Sequence, residues 1–293
     1  MTEIVSQRRN RRFALGSAPQ AALVLQWGAA SDVGLRRQVN EDSVIALPGL
    51  VAVADGLGGH AAGDLASEAA VSRLAEAARR RSRSGAILGA EDVGQALVLA
   101  SQDIAEASTA SPRGSGTTVS GIAVVEVAGV PGIQVFNVGD SRVYRHLGTV
   151  LQQITVDHSL GQELYESGQI TAEELAVFLD RNVITRAIGA ADAEADSWTA
   201  PVRDGDRILL CSDGLTSEVP DEVIRTTLSA SPDPDLAAQQ LVELARRSGG
   251  RDNVTVIVVD VLGGAAEAQG DAGDETDEAE AFLEETTVPV GSA

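Results

Sequence analysis

The chain has 293 residues, 44% of them hydrophobic, and a formal net charge of −21 at neutral pH. All 22 basic residues are arginines, so the phosphate-binding lysine of P-loop proteins and of protein kinases is missing. The negative charge argues against a nucleic-acid partner, and no apolar run approaches the roughly 18–20 residues that cross a bilayer. The lone cysteine, Cys211, excludes an internal disulfide. We therefore expect a cytoplasmic protein with no membrane partner.

The two ends of the chain differ from the middle in charge. The first 20 residues carry four arginines against one acid, Glu3, whereas nine acids and no base follow residue 263. Such compositions are typical of solvated or disordered segments. We expect a basic flexible arm over residues 1–22, one folded domain over 23–262, and a disordered acidic tail over 263–293.

The middle of the chain alternates short β-type runs with alanine- and leucine-rich stretches of helical periodicity. In chain order, we predict strands at 22–30, 43–47 and 50–55, helices at 61–81 and 91–108, and strands at 117–127, 133–138 and 142–146. A strand at 207–213, helices at 221–230 and 235–248, and a strand at 253–260 follow. Strands in hairpin-like runs favour an α+β fold with packed sheets over a doubly wound parallel sheet.

Carboxylates recur where these predicted strands meet their loops. Asp55, Asp140 and Asp213 follow strands, while Asp252 and the pair Glu41 and Asp42 precede them. A turn or a cap explains any one of them, since Asp-Gly is a common turn dipeptide. Together they point to a cation site, because clustered carboxylates repel one another unless a cation neutralises them. Oxygen ligands without His or Cys suit Mg²⁺ or Mn²⁺.

Two arginines, Arg36 and Arg37, stand just before the Glu41-Asp42 pair. A guanidinium group can bind two phosphate oxygens at once, which suits a site that acts on phosphate esters. A solvated pair of surface arginines explains the same residues equally well.

Eight segments, in order, carry a family resemblance: "SDVGLRRQVNED", "VAVADGLGGH", "GSGTT", "NVGDSRVYRH", "TVDHSL", "RNVITRAIG", "LLCSDGLT" and "RDNVTVIVV". They span about residues 24–260, and this segment resembles the metal-dependent Ser/Thr protein phosphatases of type 2C, the PPM family, in its bacterial form. The resemblance implies a four-layer αββα sandwich, in which two antiparallel sheets are flanked by helices. It also implies hydrolysis of phosphoserine and phosphothreonine on proteins by a metal-bridged hydroxide, in signal transduction that opposes Ser/Thr kinases.

The same resemblance assigns roles to individual residues. Asp55 would bridge two Mn²⁺ or Mg²⁺ ions, one of which the Gly56 carbonyl also binds, with Asp213 and Asp252 at the other. Glu41 and Asp42 would act through metal-bound waters. Arg37 would bind the phosphate, and Asp140 together with Asp213 would form a weaker third metal site. Residues 162–182 match the family's variable flap, and Leu57 stands where eukaryotic relatives carry a histidine.

Two alternatives stay open at this point. A phosphatase-like module without activity could only bind phosphoproteins, although such a module would be expected to have lost a metal-binding aspartate. In the tail, Thr286 and Thr287 could be phosphorylated and recruit an FHA-type phosphopeptide-binding domain. A tail that only keeps the protein in solution explains the same acidic residues.

Overall fold

The computed structural model describes residues 1–5, 10–14, 22–58, 61–84, 86–107, 115–127, 130–180, 183–190, 193–263 and 288–289. Thr286 and Thr287, the predicted phosphorylation sites, lie outside the described residues. In the part of the chain that is described, no helix is both long enough and apolar enough to span a membrane.

Two large β-sheets form the centre of the molecule. The seven-stranded sheet contains, in spatial order, β1 (Glu3–Val5), β4 (Ser43–Leu47), β5 (Leu50–Ala54), β8 (Val119–Val127), β9 (Val130–Val138), β12 (Asp196–Pro201) and β15 (Val288–Pro289). The six-stranded sheet contains β11 (Val150–Gln153), β10 (Arg142–Leu147), β13 (Arg207–Cys211), β14 (Val254–Gly263), β3 (Ala22–Asp32) and β2 (Asn10–Ala14). A small separate pair joins β6 (Gly56–Leu57) to β7 (Gly116–Thr117). Neighbouring strands are antiparallel, apart from the parallel pair of β1 and β4.

The helices of the described residues lie outside the sheets or beside the cleft. They are α1 (Ala61–Arg83), α2 (Ala90–Ala107), α3 (Leu160–Glu166), α4 (Ala172–Ala176), α5 (Asp213–Thr216), α6 (Asp221–Ala230) and α7 (Pro234–Ser248). Helices α1 and α2 pack on the seven-stranded sheet, and α6 and α7 pack on the six-stranded sheet. The αββα sandwich predicted from the sequence is confirmed.

Alternating side chains explain why the layers stack as they do. Along β13, Ile208 and Leu210 join the core between the sheets, whereas Leu209 and Cys211 pack under α6 and α7. Successive side chains of a strand point to opposite faces, so a strand that is apolar throughout must be covered on both sides. The continuous apolar runs of β5 and β14 follow the same rule, and all three strands are central in their sheets.

The described parts of residues 1–22 differ from the predicted flexible arm. Strand β1 pairs with β4, and β2 pairs with β3 across five residue positions. An edge strand gains backbone hydrogen bonds from its neighbour whatever its side chains are, so arginines do not prevent pairing there. In the predicted tail, Val288 and Pro289 likewise pair with β12. These segments are paired strands rather than free chain.

Candidate metal centre

The acidic residues that the sequence singled out meet at one end of the sandwich. Asp55 follows β5, Asp140 follows β9 and Asp213 follows β13, whereas Asp252 precedes β14 and Asp42 precedes β4. Ser43 pairs with Ala54, and Cys211 pairs with Val256, so these strand ends lie side by side. The antiparallel register therefore brings carboxylates that are far apart in sequence into one cleft.

Asp42 is completely buried and held by two hydroxyl groups. Ser212 Oγ donates to its Oδ2 at 2.9 Å, and Thr255 Oγ1 donates to the same oxygen at 2.6 Å. Burial raises the pKa of Asp42 to about 7, and the negative charges of Asp213 and Asp252 add to that rise against the two hydrogen bonds. Desolvation disfavours the charged form of a carboxyl, and nearby like charges do the same.

The other cleft aspartates show the same electrostatic pattern. Burial, followed by the charges of Asp42 and Asp213, raises the pKa of Asp55 well above its usual range. Burial and Asp213 do the same for Asp140. The pKa of Asp213 is raised to about 6 by burial and by Asp252, against a hydrogen bond with Asp55. Carboxylates that raise one another's pKa in this way form a site in which negative charge exceeds positive charge.

The donor set fits a hard divalent cation. Among the described residues, one buried oxygen each of Asp42, Asp140 and Asp213 has no hydrogen-bond partner. Buried polar atoms without partners are rare in folded proteins and need an explanation, which a bound ion supplies. No three His, Cys, Asp or Glu side chains in the described ranges are already arranged as a group that could hold a metal ion. The residues therefore fit such an ion by donor type and by unmet bonding capacity.

Two glycines allow the cleft segments to approach this closely. A Cβ at Gly56 would collide with the backbone carbonyl of Gly63 in the first turn of α1 and come within 2.7 Å of the Glu41 carbonyl oxygen. A Cβ at Gly214 would collide with the backbone of Asn253. Each glycine directly follows a cleft aspartate, Asp55 or Asp213, so larger residues there would push the carboxylate-bearing segments apart.

Arg37 lies at the mouth of the cleft. Its Nη2 donates to Asp252 Oδ2 at 2.7 Å, and its side chain is 48% exposed. The hydrogen bond with Asp252 raises the pKa of Arg37, and the charges of Asp55 and Glu41 contribute. A guanidinium has five N–H donors, so this geometry leaves several of them available.

Sequence reasoning missed the groups that position the carboxylates. Asn253 accepts a hydrogen bond from the Glu41 amide at 2.8 Å, and its Nδ2 donates to the carbonyls of Val33 and Val39 at 3.0 Å. It thus fixes both ends of the loop that carries Arg37. Asn253 stands in the quoted "RDN" segment, but no local signal shows that its partners lie more than 200 residues away.

A cavity of about 550 Å³ borders the carboxylate cluster and the segment predicted to be a flap, and we name it the flap cavity. Asp140 and Asp213 of the cluster line it, together with residues of α4 and residues 216–221. His158 lies just before α3, where its Nδ1 accepts from the Gly139 amide and its Nε2 lies 3.1 Å from Asp196 Oδ2.

The sequence profile of Protein phosphatase 2C matches residues 36–246. The chain belongs to the protein phosphatase 2C family. It is 40% identical over 245 residues to the serine/threonine protein phosphatase PstP of Mycobacterium tuberculosis, covering 83% of this chain and 46% of PstP. The chain thus spans about half the length of this curated relative.

Solved structures of relatives agree with the fold. The crystal structure of the Mycobacterium tuberculosis phosphatase PstP is 39% identical, with a TM-score of 0.74 over 82% of this chain and 99% of that chain. A second structure holds the catalytic domain of PstP with two manganese ions, at 38% identity and a TM-score of 0.72 over 82% of this chain and 100% of that one. Residues 162–182 of the predicted flap correspond here to most of α3, all of α4 and the chain that follows.

Proposed function

We propose that this protein hydrolyses phosphoserine and phosphothreonine on proteins and uses two Mn²⁺ or Mg²⁺ ions. The observation that carries the proposal is the cleft of buried carboxylates, three of which keep an oxygen without a partner among the described residues. Membership of the phosphatase family and the two manganese ions of the PstP catalytic domain support it.

The residue roles follow from the positions in the cleft. We assign Asp55, Asp213, Asp252 and the Gly56 carbonyl to the two metal ions, which Glu41 and Asp42 would hold through bound waters. Asp140, on the flap side of Asp213, is assigned to a weaker third site. When bound, two divalent ions lower the pKa of water into the neutral range and offset the negative charge of a phosphoryl group.

The protein's own side chains would orient the substrate. Arg37 is half exposed at the cleft mouth, and the N–H groups that Asp252 does not use can bind phosphate oxygens. Ser212 and Thr255 hold the Asp42 carboxylate in one orientation, and Asn253 holds the backbone of Glu41. Fixed carboxylates and a fixed guanidinium keep the phosphoryl group aligned without reorganisation during the reaction.

The test is a dephosphorylation assay with Mn²⁺, with Mg²⁺ and with EDTA. Substrates are paired phosphothreonine and phosphotyrosine peptides of one sequence and an autophosphorylated bacterial Ser/Thr kinase. We expect metal-dependent turnover of the phosphothreonine peptide and of the kinase, and none in EDTA. Phosphopeptide binding without turnover would instead identify a module that only binds.

Four further expectations from the sequence stay predictions. We propose that residues 23–262 form the phosphatase domain with a flap over 162–182, and that the protein opposes Ser/Thr kinases in the cytoplasm. Binding of an FHA-type domain through Thr286 and Thr287 also stays a prediction. Mass spectrometry of the tail after incubation with a Ser/Thr kinase tests the last of these, since an unmodified tail contradicts it.

A further inference from the structure

The flap cavity continues directly from the carboxylate cluster, so a substrate whose phosphate lies at the cluster extends into it. Asp140, 6% exposed and with one oxygen lacking a partner among the described residues, lines the cavity together with Asp213. At about 550 Å³ the cavity is large enough for a side chain next to the phosphorylated residue.

The charges that line the cavity are predominantly negative. One arginine faces five acids there: Asp140, Asp157, Asp213, Glu218 and Asp221. That arginine, Arg142, donates from Nε and Nη2 to Asp157 at 2.7–3.0 Å, and from Nη1 to the Tyr144 hydroxyl at 2.9 Å. All three nitrogens of its guanidinium therefore donate to groups of the protein, and the charge of Arg142 is offset by Asp157, so an anionic side chain entering the cavity would meet an excess of acids.

Asp221 differs from Asp157 and Glu218, the other two acids that line the cavity outside the carboxylate cluster. Its Oδ1 accepts a hydrogen bond from the Tyr144 hydroxyl at 3.2 Å, and within the described ranges no arginine pairs with it. Asp157 is paired with Arg142, and Glu218 is paired with Arg251. Asp221 is exposed at the start of α6, so its carboxyl group is accessible to a group that enters the cavity.

The lining of the cavity includes apolar side chains between its charged groups. Leu175, the alanines of α4, Val219 and Pro220 form the apolar part, whereas Ser159, Gln162, Thr216 and Ser217 are polar. A lysine or arginine side chain combines an apolar stem with a charged end, so it can cover the apolar part and still reach an acid. A glutamate or a phosphorylated residue would be repelled by the excess of acids in the lining.

We propose that the flap cavity binds a lysine or arginine side chain of the phosphoprotein next to the phosphorylated residue, with Asp221 as its counter-charge. The proposal rests on the phosphatase function proposed above and makes phosphosites with a neighbouring basic residue the preferred substrate class. Asp221 is then a specificity-determining residue outside the metal centre.

The test compares kcat/KM for phosphothreonine peptides that carry Arg, Ala or Glu at each position from three before to three after the phosphothreonine. We expect Arg at one position to raise kcat/KM about fivefold over Ala, as a partly exposed ion pair would, with Glu below Ala. Asp221→Asn keeps an oxygen acceptor for Tyr144 and is expected to bring the Arg and Ala peptides within about twofold of each other. Raising the salt concentration is expected to shrink the wild-type preference, because salt screens an exposed charge pair.

The control is Glu222→Gln, which removes a charge from the next residue of α6. Glu222 pairs with Arg225 and does not line the cavity, so this variant is expected to keep the preference for Arg. Hydrolysis of p-nitrophenyl phosphate, which has no neighbouring residues, is expected to be unchanged in both variants. A wild-type enzyme that treats the Arg, Ala and Glu peptides alike overturns the cavity assignment, as does an Asp221→Asn enzyme that keeps the preference. A wild-type protein that hydrolyses no phosphate ester with Mn²⁺ overturns the phosphatase function itself.

Discussion

An aspartate lies next to each end of strand β13, and the two carboxyl groups have neighbours of opposite charge. At its start, Asp206 and Arg145 form an ion pair in which both side chains are completely buried. Beyond its end, Asp213 lies among other aspartates, with one oxygen lacking a partner in the described chain and a pKa raised to about 6, mainly by burial. A second buried pair, Arg207 with Asp260, lies at the same end as Asp206.

The difference separates carboxylates that stabilise the fold from carboxylates that serve the site. A buried carboxylate that keeps its charge needs a counter-charge. At the start of β13 an arginine supplies that charge, and no metal is required. At the cleft end the neighbours are acids, so we expect the counter-charge to come from a bound cation. Substitutions at the two ends should therefore have opposite effects on activity and on stability.

The largest expected effect is on activity, from Asp55→Asn. Removing this central carboxylate should lower kcat/KM with Mn²⁺ by more than about 1000-fold, since it takes away a ligand of the two proposed metal ions. The metal-free variant should be at least as stable as wild type, because a neutral amide replaces a carboxyl whose ionisation is opposed by burial and by the neighbouring aspartates. Steady-state kinetics and thermal unfolding in EDTA measure both. Near-normal turnover in this variant would rule out the metal centre assigned here.

The reverse result is expected from Asp206→Asn. This change leaves the completely buried Arg145 without its counter-charge, which costs about 3–5 kcal/mol of the free energy of unfolding. The activity of the folded fraction should stay within about twofold of wild type, because the pair lies at the opposite end of β13 from the cleft. Denaturant unfolding and active-fraction kinetics measure the two quantities. An Asp206→Asn variant that is as stable as wild type but inactive would contradict the view that this end of β13 stabilises the fold and the cleft end serves activity.

Most of the cleft carboxylates could be predicted from the sequence, but the residues that hold them in position could not. Asp55, Asp140 and Asp213 follow apolar runs that are recognisable as strands. It could therefore be predicted that the three side chains lie together where the strands end. The roles of Ser212, Thr255 and Asn253 could not, because their partners lie 170 to 220 residues away and hydroxyl and amide side chains carry no local signature.

Strand β2 was missed for a related reason. Its sequence, "NRRFA", has no strand periodicity, and its pairing depends on the neighbouring edge of β3.

A smaller effect is expected from Arg37→Ala. Losing charge-assisted hydrogen bonds to the phosphate should lower kcat/KM about 10- to 100-fold, with little change in stability because the side chain is half exposed. Arg36→Ala is the matched control, since Arg36 is exposed and next in sequence, and it should stay within about twofold of wild type. Equal losses in both variants would mean that general positive charge at the cleft mouth, rather than Arg37, attracts the substrate.

The smallest expected effect is the change in the stability of the metal-free protein with pH. The pKa values of Asp42 and Asp213 are raised to about 7 and about 6 in the folded chain, above the values expected when unfolded. A carboxyl of this kind stabilises the fold while it is protonated, so stability falls as the pH rises through the folded pKa. Between pH 6 and 8 the metal-free protein should lose about 1 kcal/mol, or about 2–4 °C in Tm.

Adding saturating Mn²⁺ should abolish or reverse that slope, because the ion replaces the protons as the counter-charge of the cleft. The pH range matters for the interpretation. Burial lowers the pKa of His146 to about 4 and also lowers the pKa of His158, so their contribution has the opposite sign and rises with pH until the pH passes the value of an unfolded histidine, 6.5. The part of the slope above pH 7 therefore reports the carboxylates most directly. In the metal-free protein, Asp206→Asn should be less stable than wild type but lose stability with rising pH at the same rate. Asp55→Asn should lose stability with rising pH more slowly than wild type. Identical slopes in EDTA and in Mn²⁺ would mean that the cleft carboxylates are not the groups that the metal neutralises.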